Sequence, residues 1–527
     1  LGKRATSVSA LSLAVAMTAT LIVGCSKDDG GSTGAAASAT PGASASSSKK
    51  PEQPVEITWG IHFQAPGVVS DTKVQKFLEQ KFGVKIKPVK VSDASIASGE
   101  IPDIFTLGAP ENVAAYQAQG VLMSIDKKML EEKLPDYWRD INKTAPNLFQ
   151  SVTFGDKLWS IPMYVTLKPY DFATVWRKDW LDKVGIAKTP ETIDEFEQAV
   201  YAFAKKDPDG NGKNDTYGLT GTMTTTWSSG FYSVFGAYGV QPTMWLEQNG
   251  AVANGSVMPQ AKEALAKLRK WYADGVIDPE FLTDTQDGYR KKLYNNRIGM
   301  IEESIDRFSL DDSATITEMK AANPNAKLVP GKNPKGPGGE GSWDWGMKSN
   351  FVVIGSHVKD KPDKLQKLFE ILKAQSTDEE TINMTSRGVK GTHWDFVNAG
   401  AASGPTKYLS GFEKPEQRDQ DGVRLFSLGG ITTLDFRQKY LNPKLVDAIN
   451  TYSSAPRWTD ALLFSALPSD AKFKQDLTVL MQKYYAEIII GERPLDDFDK
   501  FVSEWNAKGG DALTKEANEL YKKQFKP

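Results

Sequence analysis

An α/β fold is what this sequence predicts, and three observations predict it. At 527 residues the chain exceeds what one hydrophobic core holds, which points to two or three domains of ordinary size. Strand, helix, strand, short helix and strand signals succeed one another from Val55 to Leu107, the order of a parallel sheet with helical crossovers. Farther on, amphipathic helical spacing recurs at 193–203, 261–275 and 362–376, and helices separated by Gly491, Pro494 and Gly509-Gly510 close the chain.

Each element has a local reason. Val55, Ile57, Trp59, Ile61 and Phe63 alternate at period two and share one strand face. Val74, Phe77, Leu78 and Phe82 then recur at helical spacing, with Asp71 as the expected N-cap. Val84, Ile86, Val89 and Val91 mark a second strand and Ile104-Phe105-Thr106-Leu107 a third. In such sheets ligands bind beyond the carboxyl ends of the strands. Trp59, Trp176, Trp180 and Trp271 sit on apolar faces or at helix starts and are expected in cores.

The first 24 residues read differently. Lys3 and Arg4 precede an uncharged apolar run from Ser9 to Gly24, the pattern of a signal peptide. Ile22-Val23-Gly24-Cys25 resembles a bacterial lipobox, in which the cysteine is diacylated and becomes the new N-terminus. Cys25 is the chain's single cysteine, so a disulfide within the chain is excluded and lipidation explains its position. Residues 25–53 are rich in Ser, Ala and Gly and read as a flexible lipidated tether reaching about 30 Å. The Gly30-Gly31-Ser32-Thr33-Gly34 match to a hydrolase elbow has no strand before it and no helix after it, and is set aside.

Composition narrows the function. Hydrophobic residues make up 40 % of the chain, charged residues 25 %, and the net charge is only −2. No global field recruits nucleic acid or an anionic membrane surface.

Several phrases together resemble the carbohydrate-binding solute-binding lipoproteins of ABC importers, the family of maltose- and alginate-oligosaccharide-binding proteins, in its large Gram-positive form. They are "ASGEIPDIFTLG" (97–108), "GDKLWSIP" (155–162), the specific stretch from Trp176 to Leu219, "WYADGVIDPEFLT" (271–283), "RGVKGTHWDF" (387–396) and residues 488–521. The resemblance implies a two-lobed periplasmic-binding-protein-like fold with three hinge crossings and a cleft between the lobes. Lobe one is expected over 54–170 and 347–400, lobe two over 171–346 and 401–527. It also implies a monomer on the extracellular face of the cell membrane, held there by its N-terminal lipid only. That monomer would deliver an oligosaccharide to ABC permease transmembrane subunits and bind no nucleic acid.

Within the specific stretch, "DPDGNGKNDTYG" (207–218) offers oxygen donors at alternate positions: Asp207, Asp209, Asn211, the Lys213 carbonyl and Asp215. Calcium wants such a set, and Gly212 stands where the loop must turn sharply. Gly218 occupies the position of an EF-hand's closing glutamate, and Thr216 that of the acidic residue the alginate-binding relatives use. The expectation is one structural Ca2+, remote from the ligand. The same residues also describe a plain turn at a helix end.

Sugars expose C–H faces and hydroxyl rings, so their sites pair aromatic platforms with planar polar groups. Candidate ligand contacts are Gln64, Trp227, Glu303, Trp343, Trp345, Arg387, His393 and Trp394. Arg297, Arg307, Arg387 and Lys390 would suit uronic or sulfated sugars, or serve as surface ion-pair partners. The competing reading is a lipid-anchored glycoside hydrolase, which needs two carboxylates flanking a sugar bond. With 66 acidic residues such a pair can always be nominated, so the binder is preferred and no catalytic residue is assigned.

Overall fold

The computed structural model describes residues 53–61, 67–165, 172–222, 230–310, 313–452 and 458–525. Cys25, Gln64 and Trp227, together with the signal and lipid-anchor segments, lie outside the described residues.

Two sheets organise the body from Pro54 onward. Their strands are β1 (Val55–Gly60), β2 (Val84–Val89), β3 (Ile104–Leu107), β4 (Ile161–Tyr164), β5 (Phe172–Arg177), β6 (Tyr217–Leu219), β7 (Ile298–Ser304), β8 (Leu328–Gly331) and β9 (Lys348–Ile354). The helices needed below are α1 (Lys73–Phe82), α2 (Pro110–Ala118), α3 (Ile193–Lys205), α4 (Pro259–Ala273), α5 (Pro362–Thr377) and α6 (Asp470–Ile490).

The first sheet has the order β2-β1-β3-β9-β4. β1, β2 and β3 run parallel, as the strand–helix–strand order predicts. β9 pairs antiparallel with β3 and β4, so the complete sheet is mixed. In β2 the alternation is plain: Val84 and Ile86 are buried while Lys85 and Lys87 face solvent. Helix α1 is capped by Thr72, whose hydroxyl accepts from the Gln75 N–H at 3.1 Å. Asp71 sits one residue earlier at φ +58°, displaced from the cap expected of it.

The second sheet has the order β8-β5-β7-β6. Period-two alternation along β5 sends Phe172 and Trp176 into one core and Ala173 and Val175 into another. Helix α3 packs on the first of these through Phe196, Ala199, Val200 and Phe203. Thr192 and Glu195 close its N-terminus as a capping box. Each large side chain buried here contributes about 1.5–3 kcal/mol. Trp59, Trp176, Trp180 and Trp271 are all buried, as expected.

The chain leaves the first sheet after Tyr164 and returns from Gly331 to Lys348. It departs again between Ile431, packed in the first core, and Leu445, packed against the second sheet. Val423, Leu425, Phe426, Leu428 and Ile431 therefore belong with the first core, although the resemblance placed residues from 401 onward in lobe two. These crossings are stitched together. Val165 donates its N–H to the Met347 carbonyl at 2.9 Å. Arg437 donates to the Tyr164 carbonyl at 2.7 Å and to the Thr432 carbonyl at 2.8 Å. Burial pulls the Arg437 guanidinium down to about 10, which leaves it charged at neutral pH.

Candidate ligand cleft between the lobes

Helix α2 starts at the carboxyl end of β3, with Pro110 in its first turn. This is the crevice position of an α/β sheet. Glu111 projects from that turn and meets Lys474 of α6, Oε1 to Nζ at 2.7 Å. One carboxylate of the first lobe is thereby tied to one ammonium of the second. The other oxygen, Glu111 Oε2, is buried with no hydrogen-bond partner among the described residues.

An aromatic wall stands beside this pair. Trp343 and Trp345 meet edge-on with ring centres 4.2 Å apart, and Phe464 lies 5.4 Å from each. Lys348, the first residue of β9, places its ammonium 4.1 Å from the Trp345 ring centre and 4.7 Å from that of Phe464. Such contacts are cation–π attractions. Lys348 is only 5 % exposed, and burial pulls its ammonium down to about 8, with Glu111 and Asp460 opposing the shift.

The Phe464 position is built by Asp460. That carboxylate accepts from the backbone N–H groups of Trp245 (2.8 Å), Leu462 (2.9 Å) and Phe464 (3.1 Å). Leu463 and Phe464 both adopt positive φ, +51° and +59°, a conformation unfavourable for large side chains. The three bonds to Asp460 hold it. Burial pushes the Asp460 carboxyl up to about 6 in spite of those donors.

A cavity of about 310 Å³ opens nearby between Gln150, Thr153 and Phe154 of the first lobe and Ser465, Leu520 and Gln524 of the second. Gln150 Oε1 and Gln524 Oε1 are buried without hydrogen-bond partners among the described residues. Residues of both lobes thus line a shared gap.

The structure distributes the other candidates elsewhere. Trp343 and Trp345 are brought together, but Trp343 is 3 % exposed and stacks on Tyr232 at 5.8 Å. His393 and Trp394 are 1 % and 2 % exposed. His393 Nδ1 accepts from the Val389 N–H and its Nε2 faces Asp421 at 2.9 Å, while Trp394 Nε1 donates to the Gly388 carbonyl. Arg387 lies over the Tyr440 ring at 4.3 Å in that same cluster. Glu303 is buried in an ion pair with Arg290 at 2.5 Å, and Ser304 donates its N–H to it. Glu303, Arg387 and His393 are thus engaged within their own lobes, and Trp394 lines a separate cavity of about 430 Å³ with Asn383, Lys439 and Tyr440. Arg297 pairs with Asp278 at 2.7 Å, Arg307 approaches Glu303 at 3.6 Å, and Lys390 approaches Asp395 at 3.7 Å. All three are ion-pair partners.

Sequence reasoning missed Glu111, Lys348, Asp460, Phe464 and Lys474. Glu111 carried a readable signal, being the first acidic residue beyond the end of a parallel strand. The others converge only through the tertiary fold.

The loop after α3 gathers its acidic residues as expected but around a different centre. Asn211 Nδ2 donates to Asp209 at 2.9 Å and to Asp215 at 3.1 Å. Asp207, at φ +47°, accepts from the N–H groups of Gly210, Asn211 and Gly212. Burial and the neighbouring Asp207 and Asp215 charges push the Asp209 carboxyl up. The donor types suit calcium, yet the amide nitrogen fills the point on which the carboxylates converge. Among the described residues no group of three or more His, Cys, Asp or Glu is arranged to hold a metal ion. No helix among them is long and apolar enough to cross a membrane.

Comparison with known proteins agrees with this architecture. Residues 70–374 match the family model described as bacterial extracellular solute-binding protein. The polygalacturonan/rhamnogalacturonan-binding protein YtcQ of Bacillus subtilis is 23 % identical over 92 % of this chain and 94 % of its own length. Lipoprotein LipO of the same organism is 25 % identical over 85 % of this chain and 88 % of its own. Among solved structures, an HMO-binding, ABC-transporter-associated solute-binding protein from Bifidobacterium longum infantis superposes with a TM-score of 0.70 at 16 % identity, covering 90 % of this chain and all of its own. An EF-hand mutant of Streptococcus pneumoniae FusA, solved with fructo-nystose, gives 0.63 at 18 % identity, covering 89 % and 99 %. The two-lobed fold is shared with these structures. The chain belongs to the bacterial extracellular solute-binding protein family.

Proposed function

We propose that this chain is a lipid-anchored receptor that captures an oligosaccharide between its lobes and delivers it to an ABC import permease. The observation that supports this reading is the meeting of the two lobes: Trp343, Trp345 and Phe464 form an aromatic cluster, and Glu111, Gln150 and Gln524, drawn from both lobes, hold buried oxygens without hydrogen-bond partners among the described residues. Aromatic faces suit sugar C–H surfaces and the free acceptors suit hydroxyl donors. We assign lobe one to about 54–165 and 347–431 and lobe two to the remainder, on the packing of the cores.

Delivery follows from closure. A ligand touching both lobes stabilises the closed state by its differential affinity for it, and a permease that recognises that state receives loaded receptors. Nothing in this cycle makes or breaks a bond in the sugar. The Cys25 motif supports lipid anchoring at the extracellular face of the membrane. The names of YtcQ and LipO support a pectic-type sugar ligand and a lipoprotein.

The 207–215 loop is assigned a structural calcium ion, supported by its donor types and by the EF-hand named for FusA. Asp207, Asp209, Asn211, the Lys213 carbonyl and Asp215 would hold it. Binding requires the Asn211 amide to present its oxygen where its nitrogen now sits.

The test is to titrate purified protein with an oligosaccharide panel, following intrinsic tryptophan fluorescence and product formation together. A saturable shift without products is expected. Turnover of any sugar would replace the receptor by the glycoside hydrolase.

A further inference from the structure

The cavity that Trp394 lines shares no residue with the gap between the lobes. Its volume of about 430 Å³ falls within the range of small-molecule sites. The helix Glu379–Ser386 and the strand Trp394–Phe396 form two of its walls, and Lys439 and Tyr440 complete it. Among the described residues few large hydrophobic side chains are exposed, and Val389, on this wall, is one of them at 37 %.

These walls move as one body. Lys439 and Tyr440 belong to the third crossing, yet the first lobe grips both. Lys439 Nζ meets the Glu379 carboxylate at 2.6 Å, and Gly404 donates its N–H to the Lys439 carbonyl at 2.8 Å. The Tyr440 hydroxyl donates to Glu379 and accepts from Asn383 Nδ2, both at 2.8 Å. The cavity therefore keeps its shape whether the lobes are open or closed.

The lining is charge-balanced but rich in hydrogen-bonding groups. Glu379 is neutralised by Lys439, Glu380 by Lys81 at 2.7 Å, and Lys390 has Asp395 at 3.7 Å. Arg387 lies over the Tyr440 ring at 4.3 Å and donates to Asn383 Oδ1 at 3.2 Å. That bond fixes the Asn383 amide with its nitrogen toward Tyr440 and leaves one of its two N–H groups over. A charged ligand finds no unpaired counter-charge on these walls. A neutral ring bearing hydroxyls finds apolar surface at Val389 for its C–H groups and donors on Asn383 and Lys390 for its oxygens.

We propose that this cavity is a second saccharide site, on the first lobe and outside the cleft, that takes a neutral sugar unit. This rests on the oligosaccharide-receptor reading above and extends it. A glycan held here meets the cleft at a raised local concentration.

The experiment titrates the full mature chain with neutral manno-, fructo- and galacto-oligosaccharides and with oligogalacturonides. Calorimetry reads affinity and stoichiometry, and small-angle scattering reads closure. Neutral sugars are expected to bind in an event that leaves the radius of gyration unchanged. Ala402→Trp, which puts a bulky ring on an exposed residue of the cavity wall, should weaken that event at least about tenfold, and Asn383→Ala should weaken it about tenfold. Any event that compacts the protein should keep its affinity in both variants. Neutral sugars that bind only with compaction, or whose binding survives Ala402→Trp intact, would overturn the second site and leave the receptor standing. Binding lost in Ala402→Trp, with no sugar compacting the protein, would uphold the site and remove the cleft reading. Failure of every sugar to bind would remove both.

Discussion

Glu111 at the start of α2 and Lys474 on α6 form a 2.7 Å ion pair that joins the two lobes directly. Their side chains remain 31 % and 47 % exposed, so the pair resembles a surface bridge and contributes about 0–1 kcal/mol. Its effect falls on the balance between open and closed forms rather than on the stability of either lobe. Lys474→Met should leave the thermal midpoint within a degree or two, about what such a small energy produces in a chain of this size. Small-angle scattering of the ligand-free variant should report a larger radius of gyration. An unchanged radius would mean the pair does not hold the lobes together.

Lys348→Met should stabilise the protein at neutral pH, because it removes a buried ammonium that has no anion while keeping most of the stem. The sign with pH follows from the depressed value of about 8. Below pH 8 both folded and unfolded chains carry the proton, and the penalty is constant. From pH 8 to the ordinary lysine value the unfolded chain binds the extra proton, so raising pH relieves the folded state. Denaturant titrations should show the variant ahead by about 3 kcal/mol at pH 7, with the gap closing by pH 10.

Asp460 predicts the opposite slope. Its folded value of about 6 lies above the ordinary carboxyl value. The folded chain therefore holds the proton more tightly, and this group's contribution is present below pH 4 and lost as pH rises to 6. Asp460→Asn keeps an acceptor and should flatten the pH 4–6 limb of the stability curve. Asp460→Ala leaves three N–H groups unsatisfied and should cost at least about 2 kcal/mol, read from urea midpoints.

Calcium should act on stability and leave ligand binding alone. At 100 times its dissociation constant a bound ion adds about 2.7 kcal/mol. Chelation should lower the thermal midpoint of the mature chain, and Asp209→Ala should abolish that response. Sugar affinity should stay unchanged in both cases; its loss in a still-folded, chelated protein would place the ion in the ligand cycle instead.

Much of the scaffold was legible because period-two and helical patterns are local. Val55, Ile57 and Trp59 announce β1, and Phe196, Ala199, Val200 and Phe203 announce the buried face of α3. The sites were less legible for a physical reason. A carboxylate such as Glu303 reads the same whether it awaits a sugar or pairs with Arg290. His393 and Trp394 looked free in a glycine-rich phrase, yet their ring nitrogens are occupied by backbone and Asp421. Lys348 was invisible because its solitude depends on Phe464, far away in sequence and held there by Asp460.

β9 lies between β3 and β4 in the first sheet, yet in sequence it follows every strand of the second. During synthesis and export, β3 and β4 therefore emerge with facing edges that nothing covers until residue 354 has appeared. Such edges invite pairing with other chains. The first sheet is thus begun before the second sheet and completed after it. A truncated product ending before Lys348 should aggregate even though residues 54–165 are present, a vulnerability that a secretion chaperone shielding strand edges would relieve.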